Sequence, residues 1–185
     1  MRTGIRGLGL LFLLLLIAVP SGPASAASAS AIDKEVTAAL KTLYATNPAA
    51  KKLGQKAKGV LVFPSVWKAG LIIGGQGGNG ALRVGGKTVG YYNTAAVSYG
   101  LQAGGQQFGY ALFFMNKGSL DYLEQSNGWE IGTGPSYVVV DEGKAKTLTT
   151  TTLQHDIYAF IFSQKGLMAG IGIQGSKITK IEPGK

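Results

Sequence analysis

The sequence predicts a mainly β chain with N-terminal helices, an α+β domain in which a small curled antiparallel sheet or barrel-like sandwich packs with one or two short helices. Three observations lead there. Beyond residue 59, Val, Ile, Phe, Tyr and Thr recur in short runs punctuated by Gly, Asn and Pro, the pattern of consecutive strands. Before it, Ile32, Val36, Ala39, Leu40 and Leu43 are spaced to share one helical face. Thirdly, Gly-Leu-x-x-Gly opens three apolar stretches, at Gly70, Gly100 and Gly166. Glycine weakens a strand, so its repeated use there implies sharp bends or close backbone approach, and the uneven spacing excludes a solenoid.

The elements follow in order. Arg2 and Arg6 precede an apolar run from Leu8 to Val19 and then PSGPASAASASA, the arrangement of a secretory signal peptide. The run is shorter than the roughly 20 residues that span a bilayer. Cleavage after Ala26 or Ala29 is expected, leaving 27–185 as a single domain. A helix from Ile32 is expected to be capped by Ser30 with Asp33 three residues on. Asn47 and Pro48 should start a second helix, or break one long one, with Gly59 as its stop.

Strands are expected at Val60–Phe63, Ala69–Gly74, Ala81–Val84, Thr88–Tyr92, Ala95–Gln102, Phe108–Met115, Tyr137–Val140, Ala145–Leu153, Ile157–Phe162, Leu167–Ile173 and Lys177–Ile181. Hairpin turns fit Gly85-Gly86 and Glu142-Gly143. A short helix at Ser119–Glu124 should be closed by Asn127-Gly128. Closure of the sheet would protect its apolar strands from edge-to-edge association.

Composition narrows the function. The absence of cysteine excludes disulfides, thiolate metal sites, cysteine nucleophiles and a lipid-modified N-terminal cysteine. A single histidine, His155, excludes a two-histidine metal site and leaves a serine triad one possible base. Its neighbour Asp156 would point to the opposite face of a strand and Ser163 has no G-x-S-x-G elbow, so no catalytic residue is expected. Asp121 and Glu124 sit one helical turn apart, as on a solvated helix face, and Asp141 and Glu142 read as turn residues. No metal or cofactor is expected.

Gly75, Gly77 and Gly80 spell G-x-G-x-x-G, but ALRVGGKTVGYY follows in place of a helix. The first carboxylate after Gly80 is Asp121, far beyond the acid such a fingerprint needs. These glycines therefore read as a glycine-rich strand and hairpin, not a phosphate cradle.

Without residues 1–26 the chain keeps 16 Lys plus Arg against 9 Asp plus Glu, a net charge of +7 that suggests an anionic partner. Arg83 is the one arginine left, and the aromatics lie in apolar runs without basic neighbours, so no nucleic acid is expected. The cations concentrate instead at Lys51, Lys52, Lys56, Lys58 and Lys68, with Trp67 beside them. Tryptophan favours the water–lipid interface, and basic side chains are drawn to anionic bilayers. These six residues form the candidate lipid-binding set.

The run AKGVLVFPSVWKAGLIIGGQGGNGAL, with VSYGLQAGGQQFGYALFFMN and YAFIFSQKGLMAGIGIQGSKI after it, resembles the SYLF family of lipid-binding domains. The resemblance extends from about Ile32 to Ile181. It implies a non-enzymatic domain that binds acidic lipids through basic and amphipathic N-terminal segments, which in this chain means Lys51, Lys52, Lys56 and Lys58. In an exported, periplasmic or secreted protein, phosphatidylglycerol, cardiolipin or lipopolysaccharide would replace the phosphoinositides of eukaryotic members. The expected function is thus peripheral attachment to anionic phospholipids or other acidic envelope lipids. The alternatives are a carrier of an apolar ligand inside the β domain and a structural module with an envelope protein partner. Oligomeric state is left open.

Overall fold

The computed structural model describes residues 27–70, 73–99, 104–140, 154–166 and 172–184. Helices α1 (Ala29–Thr46) and α2 (Pro48–Gly54) precede strands β1 (Gly59–Gly70), β2 (Ile73–Val84), β3 (Lys87–Tyr99) and β4 (Gly104–Phe114). Helix α3 (Lys117–Gln125), β5 (Trp129–Glu130), β6 (Tyr137–Val140), β7 (Ile157–Gly166) and β8 (Lys177–Ile181) complete it. The strands form one strongly curled half-barrel sheet, ordered β5-β8-β3-β2-β1-β4-β7-β6, packed with helices. All pairings are antiparallel except β6 with β7.

α1 and α2 are separate helices because Pro48 disfavours a helical residue before it. Asn47 is accordingly extended (φ −131°), and its side chain accepts from the Ala50 N–H at 3.0 Å. α1 begins earlier than expected. Ser28, not Ser30, is its cap and accepts from the Ala31 N–H at 3.2 Å. Asp33 is turned to the sheet instead. Its carboxylate accepts from Thr88 Oγ1 (2.6 Å), Tyr91 Oη (3.0 Å) and Arg83 Nη2 (3.4 Å). α2 ends at Gly54, and Gly59 opens β1 instead of closing a helix.

The strands are longer and fewer than the short runs suggested. Val60–Phe63 and the start of Ala69–Gly74 belong to one strand, β1, and Thr88–Tyr92 and Ala95 onward to one strand, β3. The intervening Pro64-Ser65 and Asn93-Thr94 lie inside these strands, as Gly75, Gly77, Gly78 and Gly80 lie inside β2. Tyr137–Val140 and Lys177–Ile181 match β6 and β8. The Gly85-Gly86 turn joins β2 to β3 with both residues left-handed (φ +57° and +81°), as a two-residue hairpin of matching twist requires. The signal peptide, the 145–153 strand, the Glu142-Gly143 turn and most of the 167–173 strand lie outside the described residues.

A line of register shifts crosses the sheet. Pro64 and Ser65 bulge from β1 opposite Gly109 of β4, and Ser163 and Gln164 bulge from β7 beside Phe108. Pro64 lacks a ladder donor, which suits it to a bulge. Ser163 takes φ +53°, the one non-glycine residue at positive φ among those described. Gly80 and Gly109 let the backbones close on this line. A Cβ on Gly80 would overlap the Val62 carbonyl, and one on Gly109 would lie 2.5 Å from Phe162 Cε2 and 2.9 Å from the Pro64 carbonyl oxygen.

Up to this line both faces of the sheet are covered. Leu61, Phe63, Leu82, Tyr110, Leu112 and Phe114 pack beneath α3 and Trp129 on one side. Val60, Val62, Ala111, Phe113 and Phe160 pack beneath α1 and α2 on the other.

Candidate functional site

α2 is amphipathic at its smallest scale. Ala50 and Leu53, three residues apart, bury against the sheet, which leaves Lys51 and Lys52 facing solvent. Lys56 and Lys58, in the link to β1, are exposed as well. That link is pinned by the Lys58 N–H donating to the Phe114 carbonyl at 2.7 Å. No acidic residue lies between Glu35 and Asp121, and none of the four lysines forms an ion pair among the described residues. They make an open cationic surface.

Trp67 and Lys68 do not belong to that surface. Lys58 and Trp67 are nine positions apart along an extended strand, about 30 Å at roughly 3.3 Å per residue. Trp67 is 63% exposed, whereas Lys68 is 7% exposed, which corrects the expectation of a lysine presented beside the indole. Alternation along a strand sends the two side chains to opposite faces. Lys68 stands on the α3 side, paired in register with Gln76 on one neighbour and Gln106 on the other. Gln76 Nε2 donates onward to Ser176 Oγ at 2.8 Å, and Gln106 is 5% exposed.

The face that carries Trp67 continues the one that α1 covers. Next to the indole, α1 and the bend line enclose an open groove of about 650 Å³, whose polar lining includes Glu35, Thr42, Ser65, Asn79, Gln107 and Ser163. Gln107 Nε2 donates to Ser65 Oγ at 2.7 Å. Beyond the groove no helix among the described residues covers the face. Ile73 (64% exposed) and Val97 (67% exposed) join Trp67 there, residues that sequence reasoning missed. The available signal was the period-two pattern Trp67-x-Ala69 and Ala95-x-Val97, which shows its meaning only once the register is known.

The remaining candidates are structural. His155 is exposed, and its ring meets Tyr158 edge-on at 6.0 Å. Asp156 is a clasp between elements. Its carboxylate accepts from Ser136 Oγ (2.7 Å), the Ser136 N–H (2.9 Å) and Asn116 Nδ2 (2.7 Å), while Asn116 Oδ1 caps α3 by accepting from the Ser119 N–H. The bonds from Ser136, followed by the one from Asn116, hold the Asp156 carboxyl below its ordinary range. Asp121 pairs with exposed Lys117 on α3, as expected of a solvated face, while Asp141 and Glu142 lie outside the described residues. Gly75, Gly77 and Gly80 lie within β2, the first two paired on both sides and Gly80 with Tyr92 of β3, with no helix following. Among the described residues no group of three potential metal ligands forms, and no helix is long and apolar enough to cross a membrane.

Residues 95–182, from the second half of β3 through β8, match the family model Ysc84, described as Las17-binding protein actin regulator. No curated protein matches the chain. The matched stretch contains the second and third of the three glycine-rich motifs and the Lys165 to Lys177 region. The match over residues 95–182 is consistent with the resemblance of the sequence to the SYLF family, whose domains are generally binding modules.

Proposed function

We propose that this protein is exported and attaches, without catalysis, to anionic lipid surfaces of the cell envelope. The observation that carries the reading is the exposure of Lys51, Lys52, Lys56 and Lys58 on one short helix and its outgoing link, with no acid near them in sequence. Such a surface attracts a polyanion diffusely, and each lysine near an anionic bilayer adds about 1 kcal/mol. Phosphatidylglycerol, cardiolipin and lipopolysaccharide present that charge. The family match supports binding over catalysis.

Co-sedimentation with phosphatidylglycerol and phosphatidylcholine vesicles across a salt series tests it. The expected result is binding to the anionic vesicles that weakens as salt rises. Equal partition to both, or to neither at any salt, overturns it.

Signal cleavage after Ala26 is part of the same proposal. Ser28 caps α1 and bridges to Gly184, and the Ala29 N–H donates to the Gly184 carbonyl at 3.2 Å. Cleavage after Ala29 would remove these contacts. The intact mass of the protein recovered from cells should therefore correspond to a chain starting at Ala27. The carrier alternative is less favoured, because the α3 side of the sheet is filled by Phe63, Phe108, Tyr110, Phe114 and Trp129.

A further inference from the structure

Past the bend line the polarity of the sheet is inverted. Residues directly paired across antiparallel strands share a face. Trp67 pairs with Gly77 and Gly77 with Ala95, Ala69 with Gly75 and Gly75 with Val97. Trp67, Ala69, Ile73, Ala95 and Val97 therefore stand on one side, and all five are exposed. On the opposite side, where a soluble sheet would put its apolar residues, stand Lys68, Gln76 and Gln106, with Lys68 and Gln106 buried. Apolar outward and polar inward is the alternation of strands that face lipid.

The charge on the apolar side fits one partner. A single register row runs Lys165, Gln107, Trp67, Gly77, Ala95, Lys177 across six strands. Exposed lysines close it at both ends; Glu130 stands opposite Lys177 on the edge strand, and Glu35 of α1 lines the groove beside Trp67. An aliphatic and indole centre with a lysine on each flank suits an anionic bilayer, whose headgroups take the ammonium groups while the acyl boundary takes the apolar side chains.

We infer that the uncovered sheet face of Trp67, Ile73 and Val97, flanked by Lys165 and Lys177, is the surface that enters the interfacial layer of an anionic membrane. This rests on the proposed lipid-binding role and moves its insertion point from the N-terminal helices to the end of the sheet. The α2 lysines supply long-range attraction, and this face supplies the apolar contact. The contact is interfacial, not spanning, because only the five residues Val66–Gly70 of β1, about 17 Å, lie beyond the bulge, against the roughly 9 to 11 residues that a membrane strand needs.

The two tryptophans make the test specific. Trp129 is 1% exposed within the core, so any change in emission on adding vesicles reports Trp67. Phosphatidylglycerol vesicles should shift the emission of the full domain to the blue, and bromine-labelled acyl chains should quench it. Trp67→Ala should weaken binding about tenfold, and Ile73→Ser with Val97→Ser by a similar factor, with the melting temperature unchanged because these side chains are already in water.

Binding of the wild type to anionic vesicles without a blue shift or quenching overturns this inference and leaves the lipid-binding role standing. No binding of the wild type at low salt overturns both. Sedimentation velocity supplies the remaining outcome: a dimer that Trp67→Ala converts to a monomer would assign the face to a second copy of the chain and overturn the inference.

Discussion

Trp67 and Lys68 are consecutive in sequence and point to opposite faces of β1, the indole 63% exposed on the α1 side and the lysine 7% exposed on the α3 side. The pair divides what sequence proximity had joined. The cationic surface of α2 and the apolar sheet face become two separate features about 30 Å apart along β1.

Replacing Lys51, Lys52, Lys56 and Lys58 together by Glu should weaken binding to phosphatidylglycerol vesicles roughly a thousandfold or more, since each lysine contributes about 1 kcal/mol. Stability should hold, because all four side chains are exposed and unpaired among the described residues. Co-sedimentation together with a thermal melt checks both halves.

The glycines of β2 and β4 should separate into two kinds. Gly80→Ala and Gly109→Ala should destabilise by about 2 kcal/mol or more, because each added Cβ meets a backbone carbonyl at the bend line. Gly75→Ala should be neutral or stabilising by up to about 1 kcal/mol, since the nearest atom to its Cβ would be the Ala96 carbonyl oxygen at 3.9 Å. Urea denaturation of the three variants measures this. A phosphate cradle would instead need Gly75, Gly77 and Gly80 for ligand binding and none of them for stability.

Asp156 should make the fold acid-sensitive. Its carboxyl titrates lower in the folded chain than in the unfolded one, so its contribution is complete above the unfolded value near 3.9 and is lost as pH falls through the folded value. Asp156→Asn should lower stability at neutral pH by about 1 to 3 kcal/mol and flatten the decline below about pH 4. Urea midpoints from pH 7 to pH 3 compare the two proteins.

Asp33→Ala should loosen α1 from the sheet, costing about 1 to 3 kcal/mol, because it strands the donors of Arg83, Thr88 and Tyr91. Arg83→Ala should cost less in this background than in the wild type, the coupling expected of contacting partners. The bond to Asp33 acts on Tyr91 too. Burial first, and the carboxylate second, raise the phenol above its ordinary range.

Much of the architecture was legible because it depends on local chemistry. Pro48 after Asn47 divides the helices, Gly85-Gly86 makes the hairpin, and the β-branched runs of β6 and β8 locate themselves. Strand lengths were not legible, since a glycine inside a ladder and a glycine ending a strand look alike in sequence. The cap of α1 was misplaced for a related reason: Asp33 fits a capping box, but Arg83, Thr88 and Tyr91, some fifty residues on, claim its carboxylate.

The sequence by itself determined the class of fold, the family resemblance, the absence of thiol and paired-histidine chemistry, and a lysine-rich helix that faces solvent wherever it packs. Only the tertiary structure decided which residues of the glycine-rich strands face water. That depends on register across six strands and on bulges at Pro64-Ser65 and Ser163-Gln164, each of which reverses the faces that alternation assigns to the residues beyond it. Past those bulges Trp67 is turned outward with Ile73 and Val97, and Lys68 inward with Gln106.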